Sequence, residues 1–192
     1  PAATLPILDA LYRDPVEDVR RSVANHLNDL SRHAPDEVVA AAARWMAAPD
    51  ANTPKVVRHG LRTLLKKAHP GALELLGFPP ASLAVTAPRL DRAVVELPGE
   101  LSFDFEVSNT GPAQARLAVD YVVHYAKSNG SRAEKVFKLG TAVLGPGEAR
   151  TFSKRHAFRQ MTTRVHHSGG HALQLQVNGV RYPETGFTVV TG

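Results

Sequence analysis

The sequence predicts a multidomain chain, α then β, with a helical repeat segment over residues 1–80 and an antiparallel β-sandwich over 81–192. Three observations predict it. Apolar residues recur at three- and four-residue spacing in the first part, the period drops to two after Phe78-Pro79-Pro80, and the pattern around Val19-Arg20 returns around Val57-Arg58.

The first helix is expected over 14–31. Asp14 is placed to cap it, Pro15 fits the first helical position, and Glu17 sits where a capping box wants an acid. Val16, Val19, Val23, Leu27 and Leu30 then form one apolar face. A second helix runs from about Pro35 to Ala47, with Val38, Val39, Ala42, Trp45 and Met46 on its apolar side, so Trp45 reads as core. A third begins at Thr53-Pro54, turns Val57, Leu61, Leu64 and Leu65 inward and stops near His69-Pro70. A short last turn from Gly71 to Leu76 closes at Gly77, as a C-cap glycine would.

Val19, Arg20, Val23 and Leu27 match Val57, Arg58, Leu61 and Leu65 in type. Asp14-Pro15 followed by Val19-Arg20 resembles the signature of HEAT repeats, which places helices 15–31 and 54–67 on the concave face. Two repeats rarely bury their faces alone, so further repeats are expected before Pro1. In the second part, Leu101, Phe103, Phe105 and Val107 alternate with polar residues. Leu117 to Tyr125 and Leu173 to Val177 do the same, and Asn178-Gly179 signals a type I′ hairpin. Weaker strands near 82–87, 134–143, 148–158 and 181–190 bring the count to about seven, the usual number for an immunoglobulin-like fold. The predicted fold class is therefore an α-helical HEAT-like repeat segment followed by an antiparallel immunoglobulin-like β-sandwich.

No apolar run approaches the ~20 residues a membrane span needs, and the absence of cysteine excludes disulfides and thiolate metal sites. A soluble, cytoplasmic, monomeric protein without cofactor or metal is expected. The net charge of +5 and pI near 9.7 favour a polyanionic partner. The excess is concentrated: residues 127–164 hold nine Lys/Arg against Glu134 and Glu148 alone. Lys127 to Arg132 and Arg159 to Arg164 read as basic loops suited to phosphate, so this domain is expected to help hold DNA.

Arg58, Arg62 and Lys66 recur at four-residue steps beside Lys55, His59 and Lys67, with no acid from 51 to 73. Such a stripe would track a phosphate backbone; a solvated helix face is the alternative. On helix 15–31 the wheel places Arg21, Asn25 and Asn28 on the accessible side, opposite the apolar stripe. Asp29 falls between stripe and solvent, partly desolvated yet able to reach a ligand. It also opposes the helix macrodipole, so its presence asks for a reason. Arg20 reads as tied to Asp14, and His26 as a half-buried structural residue. His166, His167 and His171 form HHxxxH in a Gly-rich segment that lacks the helix a metal site would want.

Val19-Arg-Arg-Ser-Val-Ala-Asn-His-Leu-Asn-Asp29, Val57-Arg-His-Gly-Leu-Arg-Thr-Leu-Leu-Lys-Lys67 and Leu75-Leu-Gly-Phe78, with Thr162-Thr-Arg164 and Leu175-Gln-Val-Asn-Gly179, carry a family resemblance. They resemble the bacterial alkylation-repair DNA glycosylases of AlkC type, built on HEAT-like repeats with an appended Ig-like domain. The resemblance implies a nucleoid-associated protein that binds double-stranded DNA containing alkylated bases. It also implies hydrolysis of the N-glycosidic bond of cationic bases such as 3-methyladenine and 3-methylcytosine, without conventional base flipping and without a cofactor. Asp29 is the acid it points to as catalytic, with further acids expected in earlier repeats. A different class of function, a non-enzymatic repeat scaffold with an Ig-like partner-binding module, would show as indifference to DNA.

Overall fold

The computed structural model describes residues 2–159 and 166–191 and divides the chain into two compact units, Pro1–Pro79 and Pro80–Gly192. The first unit holds α1 (Leu5–Leu11), α2 (Glu17–Leu30), α3 (Pro35–Ala47), α4 (Thr53–Gly60), α5 (Arg62–Lys66) and α6 (Pro70–Leu75). Proline stands at the first or second position of α1, α3, α4 and α6, where its missing N–H costs no helical bond. Helix α2 begins differently. Val16 is its N-cap, and Asp14 closes the preceding turn by accepting the Val16 N–H at 2.8 Å. Arg20 donates to the carbonyls of Asp14 and Pro15, so its tie to the turn runs through backbone rather than carboxylate.

Val23, Leu27, Leu30, Val38, Ala42, Trp45, Val57, Leu61 and Leu64 make the core of this unit. Trp45 belongs there as expected: Tyr12 stacks on it at 4.6 Å and its indole N–H reaches Asp9 at 2.7 Å. Helices α2 and α4 lie close because residue 60 is glycine, where a Cβ would come within 2.7 Å of Leu27 Cδ2. The expected single helix 54–67 is interrupted at Leu61, and α5 ends on Ala68 with φ of 58°. Helix α6 ends in a Schellman motif: Gly77 at φ 84° sends its N–H to Glu74 O, and Phe78 N–H reaches back to Leu73 O.

The second unit holds β1 (Leu83–Val85), β2 (Arg89–Leu90), β3 (Val94–Leu97), β4 (Gly99–Asn109), β5 (Ala115–Ala126), β6 (Arg132–Leu144), β7 (Ala149–Phe158), β8 (Gly169–Val177) and β9 (Val180–Thr191). One sheet has β4 at its centre, with β7 along one edge and the short β1 and β2 along the other. The other runs β3-β9-β8-β5-β6. Alternation puts Leu101, Phe103, Phe105 and Val107 of β4 into one core with Val119, Tyr121 and Val123 of β5 and Leu173, Leu175 and Val177 of β8. The β8–β9 hairpin turns at Asn178 and Gly179, both at positive φ as a type I′ turn requires. The Asn178 amide also bonds Ala118 N and Arg116 O, which pins the turn to β5.

These findings correct the predicted fold class of an α-helical HEAT-like repeat segment followed by an antiparallel immunoglobulin-like β-sandwich. Among the described residues there are six short helices, with strand exceeding helix, 41% against 30%. The residue match between 19–27 and 57–65 pairs one 14-residue helix with two pieces broken at Leu61, so the sequence period has no structural repeat behind it. Among the described residues nine strands replace about seven, and β3 pairs with β9 in parallel, from Val94 beside Thr188 to Leu97 beside Thr191. No helix among the described residues is long and apolar enough to cross a membrane.

Candidate nucleic-acid interface

Helices α2, α4 and α5 carry most of the residues singled out in the first unit. Arg21, Asn25 and Asp29 are exposed on α2, Arg58 on α4, and Arg62, Lys66 and Lys67 at and after α5. His59 is half-buried. Asp29 is therefore more open than the expected partly desolvated acid, and it makes no ion pair among the described residues. Arg21 pairs with Asp18 at 3.0 Å, a fully solvated contact of small energetic weight. Lys55 is not free: Glu17 of α2 accepts from it at 2.9 Å, and that contact is the main cause holding the Glu17 carboxyl below its ordinary pKa.

Asn28 departs from its expected position. It is 3% exposed, and its Oδ1 accepts the Thr63 N–H at 3.1 Å. A helical wheel assigns a face only relative to a guessed stripe, and α5 packs on the side of α2 that the wheel left to solvent. Arg62 donates to the His59 carbonyl at 2.8 Å, which leaves the rest of its guanidinium toward solvent. The row Arg58, Arg62, Lys66 thus spans two helices instead of one straight stripe.

Between α2 and α4 lies a cleft of about 80 Å³, lined by Glu17, Arg20, Arg21, Asn52, Lys55 and His59 among others. Ligand pockets usually run to about 300–1,000 Å³, so this cleft is small beside them. Burial pushes the His59 pKa down, and the neighbouring charges of Arg62, Arg21 and Lys55 add to it. A neutral imidazole among cations becomes easier to protonate when a phosphate arrives.

In the second unit, Lys127 is exposed in a tight turn closed by its N–H to Ser131 O and by Asn129 Oδ1 accepting from Ser131. Arg132 lies on β6, not in a loop, and pairs with Glu184 of β9 at 2.8 Å. Arg181 of β9 in turn makes a two-pronged contact with Glu134 of β6, at 2.8 and 3.0 Å. Both pairs reach over β8 and β5, since β6 and β9 are not neighbours in the sheet. Spacing along a chain cannot reveal such pairs, and they were missed for that reason. Arg159 is exposed and sits 3.7 Å from Glu100, which also takes Arg155 at 3.2 Å. Arg164 lies outside the described residues.

Two of the HHxxxH histidines serve packing. His166 and His171 are buried against Tyr125 and Phe158, and His171 Nε2 donates to the His167 carbonyl at 3.0 Å. His156, not singled out by any motif, joins them by bonding the hydroxyls of Tyr121 and Tyr125 at 3.0 and 2.9 Å. His26 of α2 meets the Thr4 hydroxyl at 2.8 Å.

A family model described as "Uncharacterised protein YhaZ, C-terminal Ig-like domain" matches residues 84–191. The uncharacterized protein YhaZ of Bacillus subtilis is 32% identical over 180 residues, which are 93% of this chain and 50% of that protein. The alkylpurine DNA glycosylase AlkC of Pseudomonas fluorescens, solved bound to DNA containing an abasic-site analogue, is similar over 97% of this chain and 52% of its own. The TM-score is 0.86 and the identity 34%. The β-glucosidase EmGH1 of Erythrobacter marinus is similar over 57% of this chain and 16% of its own, at TM-score 0.50 and 19% identity, which speaks to fold alone. The chain spans about half the length of the first two relatives.

Proposed function

Because this chain belongs to the family of the YhaZ C-terminal Ig-like domain, and because a DNA glycosylase shares its structure over nearly its full length, we propose that it is a DNA-binding portion of a DNA repair glycosylase. One observation carries this reading: the likeness to AlkC covers 97% of the chain at 34% identity, and that relative was captured on DNA. The exposed cations Arg58, Arg62, Lys66 and Lys67, with Arg21, Asn25 and His59 beside them, are the proposed phosphate contacts of the first unit. Lys127 and Arg159 are the corresponding residues of the second.

The proposed reaction is hydrolysis of the N-glycosidic bond of cationic alkylated bases, of 3-methyladenine or 3-methylcytosine type. A methylated base already carries positive charge and leaves readily. What remains is to stabilise positive charge on the sugar and to hold water, which an unpaired carboxylate such as Asp29 can do.

Two measurements test the reading. Affinity for duplex DNA containing an abasic-site analogue should fall steeply with salt, and indifference to DNA would reject it. In the longest chain that carries this sequence, Asp29→Asn should bind damaged DNA as before while releasing base about 10²-fold more slowly under single-turnover conditions. Parental rates in a folded Asp29→Asn protein would place the catalytic acid elsewhere.

A further inference from the structure

An uninterrupted helix from Thr53 to Lys66 would contain a hydrogen bond from the Thr63 N–H to the His59 carbonyl, four residues earlier. That bond is open. Its donor goes to Asn28 Oδ1 at 3.1 Å and its acceptor takes Arg62 Nη1 at 2.8 Å. Two side chains thus compete for the groups of one main-chain bond. The helix breaks at Leu61, whose φ and ψ of −90° and 3° lie off the helical region, while Leu65 N–H to Leu61 O resumes the ladder beyond it. Asn28 can do this because it is buried on α2, one residue before exposed Asp29.

We propose that Asn28 is a positioning residue for DNA binding: by holding the Thr63 N–H it keeps the helix broken between α4 and α5, and so sets Arg62, Lys66 and Lys67 against DNA phosphates. This rests on the reading of those cations as phosphate contacts. Asn28 itself touches no DNA in this scheme. Without its carbonyl oxygen, Thr63 N–H returns to His59 O, the helix closes through Leu61 and Arg62 loses its carbonyl anchor. Arg58, Arg62 and Lys66 then fall into the straight four-residue stripe. The fold already contains the means of an independent check. Helices α1 and α4 both carry proline at the second position, Pro6 and Pro54, which is the place of Thr63 in α5. Proline there needs no acceptor and its ring forbids the bond to the residue four back.

The test is DNA binding as a function of salt by the full 192-residue chain, with Asn28→Ala, Thr63→Pro and their combination, alongside backbone Cα shifts at Leu61 to Thr63. Asn28→Ala is expected to move those shifts to helical values, to weaken binding about tenfold and to flatten the salt slope by about one to two contacts at ~0.9 each. Thr63→Pro alone keeps the break and binds like the parent. Adding Thr63→Pro to Asn28→Ala restores the slope, which a merely structural loss of packing would not do. Parental binding by a folded Asn28→Ala chain, or no recovery in the double variant, overturns the proposal. Should Asn28→Ala not fold, Thr63→Pro decides, because reduced slope in that variant contradicts the scheme and parental slope supports it. If Arg62→Ala with Lys66→Ala leaves affinity and slope unchanged, the phosphate reading itself fails. The Cα shifts then still show whether Asn28 held the break.

Discussion

Asn109 shows how much one buried side chain can organise. It is 1% exposed, donates from Nδ2 to the carbonyls of Ala113, Leu144 and Gly145, and accepts the Gly111 N–H on Oδ1. It ends β4 and ties the loop before β5 to the loop after β6. Leaving these buried backbone groups without partners carries a large penalty, so Asn109→Ala should lower the stability of the second unit by about 2–3 kcal/mol, read from denaturant midpoints. A loss below about 0.5 kcal/mol would mean that water replaces the amide at little cost. Neither Asn109 nor Asn28 was legible in the sequence as structural. Both are polar residues, Asn109 between Ser108 and Thr110 and Asn28 before Asp29, and only tertiary contact shows that the chain buries them. Trp45 was legible, because its register with Val38 and Ala42 repeats on the helix whatever the partner is.

At the scale of elements, the periods of 3.6 and 2 located α2, α3, β4, β5 and β8, and the Asn178-Gly179 turn, because burial of one face dictates those patterns. The break at Leu61 was not legible. After Pro54, residues 55–67 hold a helical pattern without an interior breaker except Gly60, and what divides them is Asn28 from another helix. The end of α5 carries strain of its own. His69 N–H to Leu64 O and Ala68 N–H to Leu65 O form a Schellman motif with alanine in the left-handed position, at φ 58°. Ala68→Gly should therefore stabilise the first unit by about 0.5–1 kcal/mol, the relieved strain less the extra freedom glycine brings to the unfolded chain. Destabilisation on chemical unfolding would show that the Ala68 methyl packs usefully. On β8, burial pushes the His171 pKa below its ordinary value of 6.5. The unfolded chain then binds that proton more readily, so stability is complete above about pH 6.5 and is lost as pH falls below it. His171 stacks on Phe187 at 5.6 Å. His171→Phe should make the melting temperature of the second unit less sensitive to acid between about pH 7 and 5. An unchanged pH dependence would assign the sensitivity to other groups.

Charge behaves differently at the scale of the whole molecule than in any window of sequence. The nine-to-two basic excess of residues 127–164 suggested that the second unit grips DNA, yet three of those cations are paired by acids from outside that window. Glu184 takes Arg132, and Glu100 takes Arg155 and Arg159. Elsewhere in the unit Arg181 is held by Glu134, Arg89 by Asp104 and Arg92 by Asp91. In the first unit the balance is the reverse. Ten Lys/Arg against nine Asp/Glu looks neutral, but Arg58, Arg62, Lys66 and Lys67 stand exposed without an ion pair among the described residues, while Glu17 and Asp18 engage Lys55 and Arg21. Counterion release depends on cations gathered where phosphates can meet them together. Arg58, Arg62, Lys66 and Lys67 are close in sequence on α4, on α5 and just after it, whereas Lys127, Lys138, Arg150 and Lys154 are spread over a turn, β6 and β7. The salt-dependent part of DNA binding should therefore reside mainly in the first unit. The two units have separate cores, which allows the comparison to be made by deletion. Removing residues 80–192 should leave more than half of the salt slope, whereas Arg58→Ala, Arg62→Ala and Lys66→Ala together in the full chain should reduce it by about 2.7, at ~0.9 per contact. If the deletion abolishes the slope and the triple variant keeps it, the grip on DNA belongs to the exposed Lys127 and Arg159 of the second unit instead.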